Sequence, residues 1–240
     1  MTKLSTASLT DIGRMRSENE DQLIHEDKSL IFGVADGVGG LPGGAEAARE
    51  TARVIIEGVK AAGETDPVDL TAIVHAANRA VIALGQQISP AMGIGTTLTF
   101  GHVRNRHLHL AHVGDSRCYL LRDGKFLCVT QDHSVENDAR MRRARGEVVH
   151  YHESNRNALP RCIGQPTPPQ VDLISNPLIA GDRYLFCTDG VTRMIGDREL
   201  STLLGQPVDP FTIIELIVKL AVERGGPDNA TGVVIIVDEP

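Results

Sequence analysis

Acidic residues stand at the ends of short apolar, strand-like segments at five places in this 240-residue chain. These residues are Glu20 with Asp21, Asp36, Asp115, Asp189 and Asp228. A buried carboxylate without a compensating charge is strongly destabilising, and few Lys or Arg residues stand beside these positions in the sequence. A fold that brings them together therefore needs cations. An all-oxygen set of ligands favours Mg²⁺ or Mn²⁺ over zinc or copper.

An Asp-Gly or Asp-Asn pair on its own is also typical of a turn, because aspartate accepts turn hydrogen bonds and glycine adopts positive φ. Asp123-Gly124, between CYLL and KFLC, has this simpler interpretation and predicts a two-residue hairpin turn. In that register Cys118 and Cys128 point to opposite faces of the sheet. We therefore expect no disulfide between them.

Composition limits the class of protein. A chain of 240 residues is long enough for one domain with a substantial core. The net charge of −7 argues against a nucleic-acid binder, which needs a basic face. No apolar segment reaches the ~18 residues that span a membrane, and the start MTKLSTASLTDIG lacks the apolar region of a secretory signal. We expect a cytoplasmic protein whose four cysteines are free, buried thiols.

Short β-branched segments and amphipathic segments alternate along the chain. β-strands are predicted at 4–9, 30–35, 95–103, 107–113, 117–122, 125–130, 171–174, 183–188 and 231–237. Helices are predicted at 44–61, 67–88 and 211–224, where apolar residues recur on one stripe. Asp66-Pro67 and Asp209-Pro210 predict the starts of the second and third helices, each with an aspartate N-cap followed by proline.

The predicted hairpin around Asp123-Gly124 is apolar on both faces, which indicates that both faces are covered. Strands that follow one another through tight turns are antiparallel. Because helices fall between the blocks of strands, we predict an α+β fold with two mostly antiparallel sheets flanked by helices. This is a four-layer α/β/β/α sandwich. Residues 133–169 are polar, contain six arginines and end in QPTPPQ, so we expect a helix and an irregular surface flap there.

Seven motifs follow one another along the chain: TDIGRMRSENED (10–21), ADGVGG (35–40), GTTL (95–98), VGDSR (113–117), QDHS (131–134), CTDGVT (187–192) and GPDNATGVVI (226–235). Together they resemble the metal-dependent serine/threonine protein phosphatases of the type 2C (PPM) family, in its bacterial form. The resemblance runs from about residue 8 to residue 237. It implies the four-layer sandwich as well, and a single phosphatase catalytic domain over residues 1–240.

The resemblance also implies the roles of individual residues. Asp36 would bridge two Mn²⁺ or Mg²⁺ ions; Asp189 and Asp228 would complete one ion's ligands, and Glu20 with the Gly37 carbonyl those of the other. Asp21 would hold metal-bound water, and Asn229 would orient its neighbour. Asp115, with Asp189, would hold a third, weaker ion. Arg16 would bind the substrate phosphate, which suits a guanidinium because its geometry matches two phosphate oxygens.

Two ions that share a water lower its pKa and orient it for in-line attack on phosphorus. The implied function is therefore hydrolysis of phosphoserine and phosphothreonine in proteins by a metal-bridging water or hydroxide. Val38 stands where eukaryotic relatives carry a histidine proposed to protonate the leaving oxygen. A metal-bound water is the natural substitute for that acid.

Two other functions stay open. The chain could be a catalytically silent module that binds phosphoproteins, although retention of Asp36, Asp189 and Asp228 favours the enzyme. It could also be a small-molecule phosphohydrolase on the same fold.

The expected partners are phosphorylated proteins, the targets of a cytosolic Ser/Thr kinase. We expect a monomer that binds neither nucleic acid nor membrane. The six flap arginines are interpreted either as a solvated face or as a guide for substrate.

Overall fold

The computed structural model describes residues 2–63 and 67–240, which contain two five-stranded antiparallel sheets. The first sheet has the order β1-β10-β9-β6-β7 and the second the order β2-β3-β4-β5-β8. The strands are β1 (Lys3–Asp11), β2 (Asp21–Glu26), β3 (Ile31–Asp36), β4 (Leu98–Arg104), β5 (His107–Val113), β6 (Arg117–Arg122), β7 (Lys125–Cys128), β8 (Asp172–Pro177), β9 (Arg183–Cys187) and β10 (Ala230–Glu239).

Helices cover the outer faces of both sheets. The helices are α1 (Gly44–Ala62), α2 (Leu70–Ile88), α3 (Val135–Ala144), α4 (Asp189–Thr192), α5 (Asp197–Leu204) and α6 (Pro210–Glu223), of which α3 belongs to the flap. Ile55 and Val74 pack with Phe100 between the second sheet and helices α1 and α2. A second apolar layer lies between the sheets, and a third lies between the first sheet and helices α5 and α6. The predicted four-layer α/β/β/α sandwich is confirmed.

Two elements differ from the sequence predictions. Strand β2, with the sequence DQLIHE, was not predicted, because its polar residues outnumber its apolar ones. It forms because Leu23 and Ile24 pair with Val34 and Gly33 of β3, and Ile24 is fully buried. Helix α2 begins at Leu70 with Asp69 as its N-cap, so the predicted start at 67 is wrong. Asp66 lies outside the described residues. The start at Asp209-Pro210 is confirmed, since Asp209 accepts a hydrogen bond from the Thr212 amide at 3.0 Å.

The hairpin register is as predicted, but its second strand is less covered than expected. Tyr119 lies opposite Cys128, and strand β6 is buried at Cys118, Tyr119 and Leu120. Strand β7 is the edge of its sheet, and Leu127 is 60% exposed there. Cys128 is also exposed, so the expectation of four buried thiols is wrong at this residue; all four cysteines are free.

The flap is a helix followed by irregular chain, as predicted. Ser134 caps helix α3 by accepting a hydrogen bond from the Asn137 amide at 3.3 Å. The segment that leaves the flap is held to the second sheet, because the amides and carbonyls of Thr96 and Ile163 exchange hydrogen bonds of 2.8 and 3.1 Å. The flap therefore rejoins the core close to the end of strand β3. No helix in the described ranges is both long and apolar enough to cross a membrane.

Candidate metal centre and phosphate site

The predicted acidic residues meet where strands of both sheets end. Asp21 and Asp36 are direct cross-strand partners on β2 and β3. Asp189 begins helix α4 directly after β9, and Asp228 precedes β10, which pairs with β9. Asp115 lies in the turn between β5 and β6. The sandwich topology thus brings together side chains that lie more than 200 residues apart in the chain.

Gly37 allows three backbone segments to approach one another at this point. Its amide donates to the Glu20 carbonyl at 3.0 Å. A Cβ atom on Gly37 would lie 2.6 Å from the Gly44 carbonyl oxygen and 2.9 Å from the Glu20 carbonyl oxygen, and real Cβ atoms do not approach so closely. Glycine is therefore required where β3 ends beside the N-terminus of helix α1. Glu20 lies at that N-terminus, whose partial positive charge favours a carboxylate.

The Asp36 carboxylate has no hydrogen bond or ion pair to any residue in 2–63 or 67–240. Burial raises its pKa well above the usual value, and the charges of Asp21, Asp189, Asp115 and Asp228 raise it further. Such an arrangement is unfavourable in the ionised protein unless a cation lies among these groups.

The pKa values of the neighbouring carboxylates are raised for the same reasons. Burial raises the pKa of Asp21 to about 7, although hydrogen bonds from threonines oppose the shift. One of these comes from the Thr188 hydroxyl, at 2.9 Å. Burial also raises the pKa of Asp115 to about 7 and that of Asp189 to about 6. Clustered carboxylates with raised pKa values are typical of functional sites.

Arg16 lies at the edge of this cluster. Its Nη2 atom donates to Asp228 Oδ2 at 2.9 Å, and its Nη1 atom lies 3.5 Å from Glu20 Oε2. About a third of the side chain is exposed, so the guanidinium is accessible to a ligand. Its position fits the predicted role of binding a phosphate beside the carboxylates.

The buried Asn229 holds the loop that carries Arg16 and Glu20. Its Nδ2 group donates to the carbonyls of Ile12 and Glu18 at 2.8 and 3.0 Å, and its Oδ1 atom accepts from the Glu20 amide at 2.9 Å. The sequence prediction was that Asn229 orients its neighbour. The structure places its side chain on the opposite loop, which it ties to the start of β10.

Arg193 was missed by the sequence analysis. It follows helix α4, and its Nη2 atom forms an ion pair with Asp189 Oδ2. Its Nη1 atom lies 3.4 Å from Asp228 Oδ2, the oxygen that Arg16 also binds. The sequence analysis expected few adjacent Lys or Arg residues, whereas the fold places Arg193 beside Asp189 and both Arg16 and Arg193 beside Asp228. The spacing of four residues from Asp189 to Arg193 was the available signal, since such pairs meet on a helix.

The donor set suits Mg²⁺ or Mn²⁺ because all of its atoms are oxygens. As placed, no three His, Cys, Asp or Glu side chains among the described residues surround a common point at ligand distance. Asp189 and Asp228 are instead turned to arginines. The unpaired Asp36 carboxylate, surrounded by like charges, is the observation that fits a bound cation.

A cleft of about 370 Å³ opens over the site. Its walls include both arginines, the end of β3 with Val38, and three residues of the flap: Arg16, Asp36, Gly37, Val38, Asn157, Ala158, Leu159, Asp189, Arg193 and Asp228. The flap therefore borders the carboxylates through residues 157–159. Arg142 of helix α3 and Arg145, which follows the helix, line a different cavity, of about 670 Å³, together with Tyr151 and Arg161.

The chain matches known proteins over most of its length. The protein phosphatase 2C family matches residues 15–212. Serine/threonine protein phosphatase PstP of Mycobacterium tuberculosis is 32% identical over 237 residues, which cover 96% of this chain and 44% of that protein. A putative protein phosphatase 2C-type of Streptococcus pyogenes is 33% identical over 92% of this chain and 93% of its own length. This chain thus spans less than half the length of the mycobacterial relative.

The fold comparison agrees. The crystal structure of the catalytic domain of a serine/threonine protein phosphatase PstP in complex with two manganese ions superposes with a TM-score of 0.80. The two are 30% identical, and the match covers 100% of each chain. Both sequence and fold therefore confirm the resemblance identified from the seven motifs, and the chain belongs to the protein phosphatase 2C family.

Proposed function

We propose that this chain is a metal-dependent phosphatase that removes phosphate from phosphoserine and phosphothreonine in proteins. The observation that carries the proposal is the unpaired carboxylate of Asp36, which faces four further carboxylates beside an accessible arginine. Such a site attracts divalent cations and, through them and Arg16, a phosphate dianion. The names of its relatives as serine/threonine phosphatases support this choice of reaction.

Two Mn²⁺ or Mg²⁺ ions are the proposed cofactors. Asp36 would contact both ions, Asp189 and Asp228 one of them, and Glu20 with the Gly37 carbonyl the other. When bound, such ions supply Lewis-acid charge and activate water for attack on phosphorus. The relative of known structure that contains two manganese ions supports this number. At the position expected for a third ion, between Asp115 and Asp189, the positive charge of Arg193 already acts on both carboxylates.

The protein groups around the ions have separate proposed tasks. Arg16 binds two oxygens of the phosphate and offsets their charge. Asp21, whose carboxylate accepts a hydrogen bond from Thr188, supports the water that attacks. Asn229 fixes the loop that carries Arg16 and Glu20. No side-chain nucleophile is needed for this reaction.

We also propose that residues 1–240 form one catalytic domain that acts in the cytoplasm as a monomer. Its proposed partners are phosphorylated proteins, the targets of a cytosolic Ser/Thr kinase. The net charge of −7 supports the proposal that it binds no nucleic acid, and we propose no membrane partner.

Phosphate release from a phosphothreonine peptide tests the function. The wild type should release phosphate with Mn²⁺ and stop when the ion is chelated, and Asp189→Asn should be inactive under both conditions. Peptide binding without turnover would favour a silent phosphoprotein-binding module instead. Turnover of small phosphomonoesters, with none of phosphopeptides or phosphoproteins, would favour a small-molecule phosphohydrolase.

A further inference from the structure

Arg193 is a charged residue of the site that neither the seven motifs nor the proposed reaction uses. Its guanidinium forms an ion pair with Asp189, lies 3.4 Å from Asp228 Oδ2 and lines the cleft. Burial raises the pKa of Asp115, and the charge of Arg193 opposes this shift. Of the two carboxylates that were expected to hold a third ion, the guanidinium therefore contacts Asp189 directly and acts on Asp115 through its charge.

We propose that the guanidinium of Arg193 takes the place of a third divalent cation, so that this chain binds two ions and not three. The inference rests on the proposed function, because it concerns the ions of the same site. It makes Arg193 a positioning residue that keeps Asp189 directed toward the centre without a metal at Asp115.

Charge supports this arrangement. Six carboxylates meet here, from Glu20, Asp21, Asp36, Asp115, Asp189 and Asp228. Two divalent cations together with the guanidinium groups of Arg16 and Arg193 carry an equal positive charge. The site is therefore neutral with two ions before substrate binds. A third divalent ion would have to enter a neutral site and displace Arg193 from Asp189, which makes its binding much weaker.

The test is a count of Mn²⁺ ions per protein, by isothermal titration and by native mass spectrometry. The wild type should bind two ions. Arg193→Ala should bind a third, and the double variant Arg193→Ala with Asp115→Asn should lose it again. Arg198→Ala is the matched control, since Arg198 is an exposed arginine on the adjacent helix α5 and should leave the count at two. Arg193→Gln repeats the test with a side chain that keeps hydrogen-bonding capacity without charge, and circular dichroism checks the fold of every variant.

Three ions in the wild type, with loss of one in Asp115→Asn, would overturn the inference while leaving the proposed phosphatase intact. Binding of only two ions by both Arg193 variants would overturn the inference as well. It would show that Arg193 is not the group that excludes a third ion. No Mn²⁺ binding by the wild type would overturn both proposals. Binding of two ions without turnover of any phosphoester would reject the phosphatase alone.

Discussion

Asp21 and Asp36 lie directly opposite each other on the antiparallel strands β2 and β3, with burial raising the pKa of each. Like charges at opposite positions of a sheet are destabilising. We therefore predict that Asp36→Asn stabilises the metal-free protein although it abolishes phosphatase activity. Each 1 kcal/mol added to the free energy of unfolding should raise Tm by about 2–4 °C in a chain of this size.

Thermal unfolding in the presence of a chelator and phosphate release with Mn²⁺ measure the two effects. Asp123→Asn, in the β6–β7 turn, is the control and should change neither. A lower Tm for chelated Asp36→Asn would show that this carboxylate stabilises the fold itself. Near wild-type turnover would reject its role as the shared ligand.

A second prediction concerns Arg16. Arg16→Ala should raise KM for a phosphopeptide more than it lowers kcat, because the guanidinium binds the phosphate before the reaction. Arg16→Lys should recover only part of the loss, since an ammonium group cannot bind two oxygens in the same planar geometry. Steady-state kinetics separate these effects. A fall in kcat at unchanged KM would show that the residue acts chiefly in the transition state.

Asn229→Ala should destabilise the protein through the loop that carries Arg16 and Glu20. The substitution leaves the carbonyls of Ile12 and Glu18 and the Glu20 amide without their buried partner. Unsatisfied buried groups of this kind cost about 1–3 kcal/mol. Urea unfolding measures the loss, and KM should rise because Arg16 is less well held. Asn155→Ala, at an exposed flap residue, is the control. Unchanged stability would mean that the loop is held by other contacts.

Much of the fold was predictable because the chain follows simple local rules. Nine of the strands are short β-branched or apolar segments between turns, the three long helices carry apolar stripes, and Asp209-Pro210 marks a helix start that the structure confirms. Strand β2 was not predicted because its burial depends on pairing with β3, which no local sequence pattern reveals. The start of α2 was misplaced because two aspartates precede it and Asp69 is the cap.

At the site, the sequence predicted which carboxylates come together and not how their charges are balanced. Seven ordered motifs identified the acidic residues and Arg16. Arg193 belongs to none of these motifs, and its contact with Asp228 joins residues 35 positions apart. Such a contact depends on the packing of helix α4 beside β10, which only the folded structure supplies. The same holds for the contacts of Asn229.

Two buried histidines, whose pKa values differ between the folded and the unfolded protein, make stability depend on pH. Burial lowers the pKa of His112 and of His102 to about 4. His133 also lowers the pKa of His112, while Asp172 and Asp132 oppose it. The unfolded chain binds protons on these rings from pH ~6.5 downward, whereas the folded protein does not until about pH 4. The contribution of these two histidines to stability should therefore be complete above pH ~6.5 and fall as the pH is lowered toward 4.

His112→Asn should flatten this dependence, although its absolute stability will be lower because the ring bonds Thr99 at 2.8 Å and the Gln131 carbonyl at 3.0 Å. Unfolding free energy measured at intervals between pH 7 and 4 gives the slope. The exposed His150 provides the control variant His150→Asn, which should keep the wild-type slope. Equal slopes in all three proteins would mean that His112 is protonated in the folded state as readily as in the unfolded one.

The last prediction concerns the arginines of helix α3 and the residue that follows it. Arg142 lies 2.7 Å and Arg145 3.4 Å from Glu147, while Arg143 donates to the Val149 carbonyl at 2.7 Å. Exposed pairs of this kind contribute only about 0–1 kcal/mol, so a charged ligand can replace them. Arg142 and Arg145 line a cavity within the flap, and the flap borders the carboxylates through residues 157–159. We therefore expect these arginines to select protein substrates and not to act in the chemical step.

Replacing Arg140, Arg142, Arg143 and Arg145 with Ala should lower kcat/KM for phosphopeptides with acidic flanks. The loss should be largest at low salt, where charge attraction is least screened. Hydrolysis of a small aryl phosphate should barely change, since that substrate reaches only the metals and Arg16. Replacement of Arg49 and Arg53, which form exposed ion pairs on helix α1, is the control. Equal losses for both substrates would mean that the flap shapes the metal site itself. No loss for either substrate would show that these arginines form a solvated face. Their contacts with Glu147 and the flap backbone would then have no part in substrate selection.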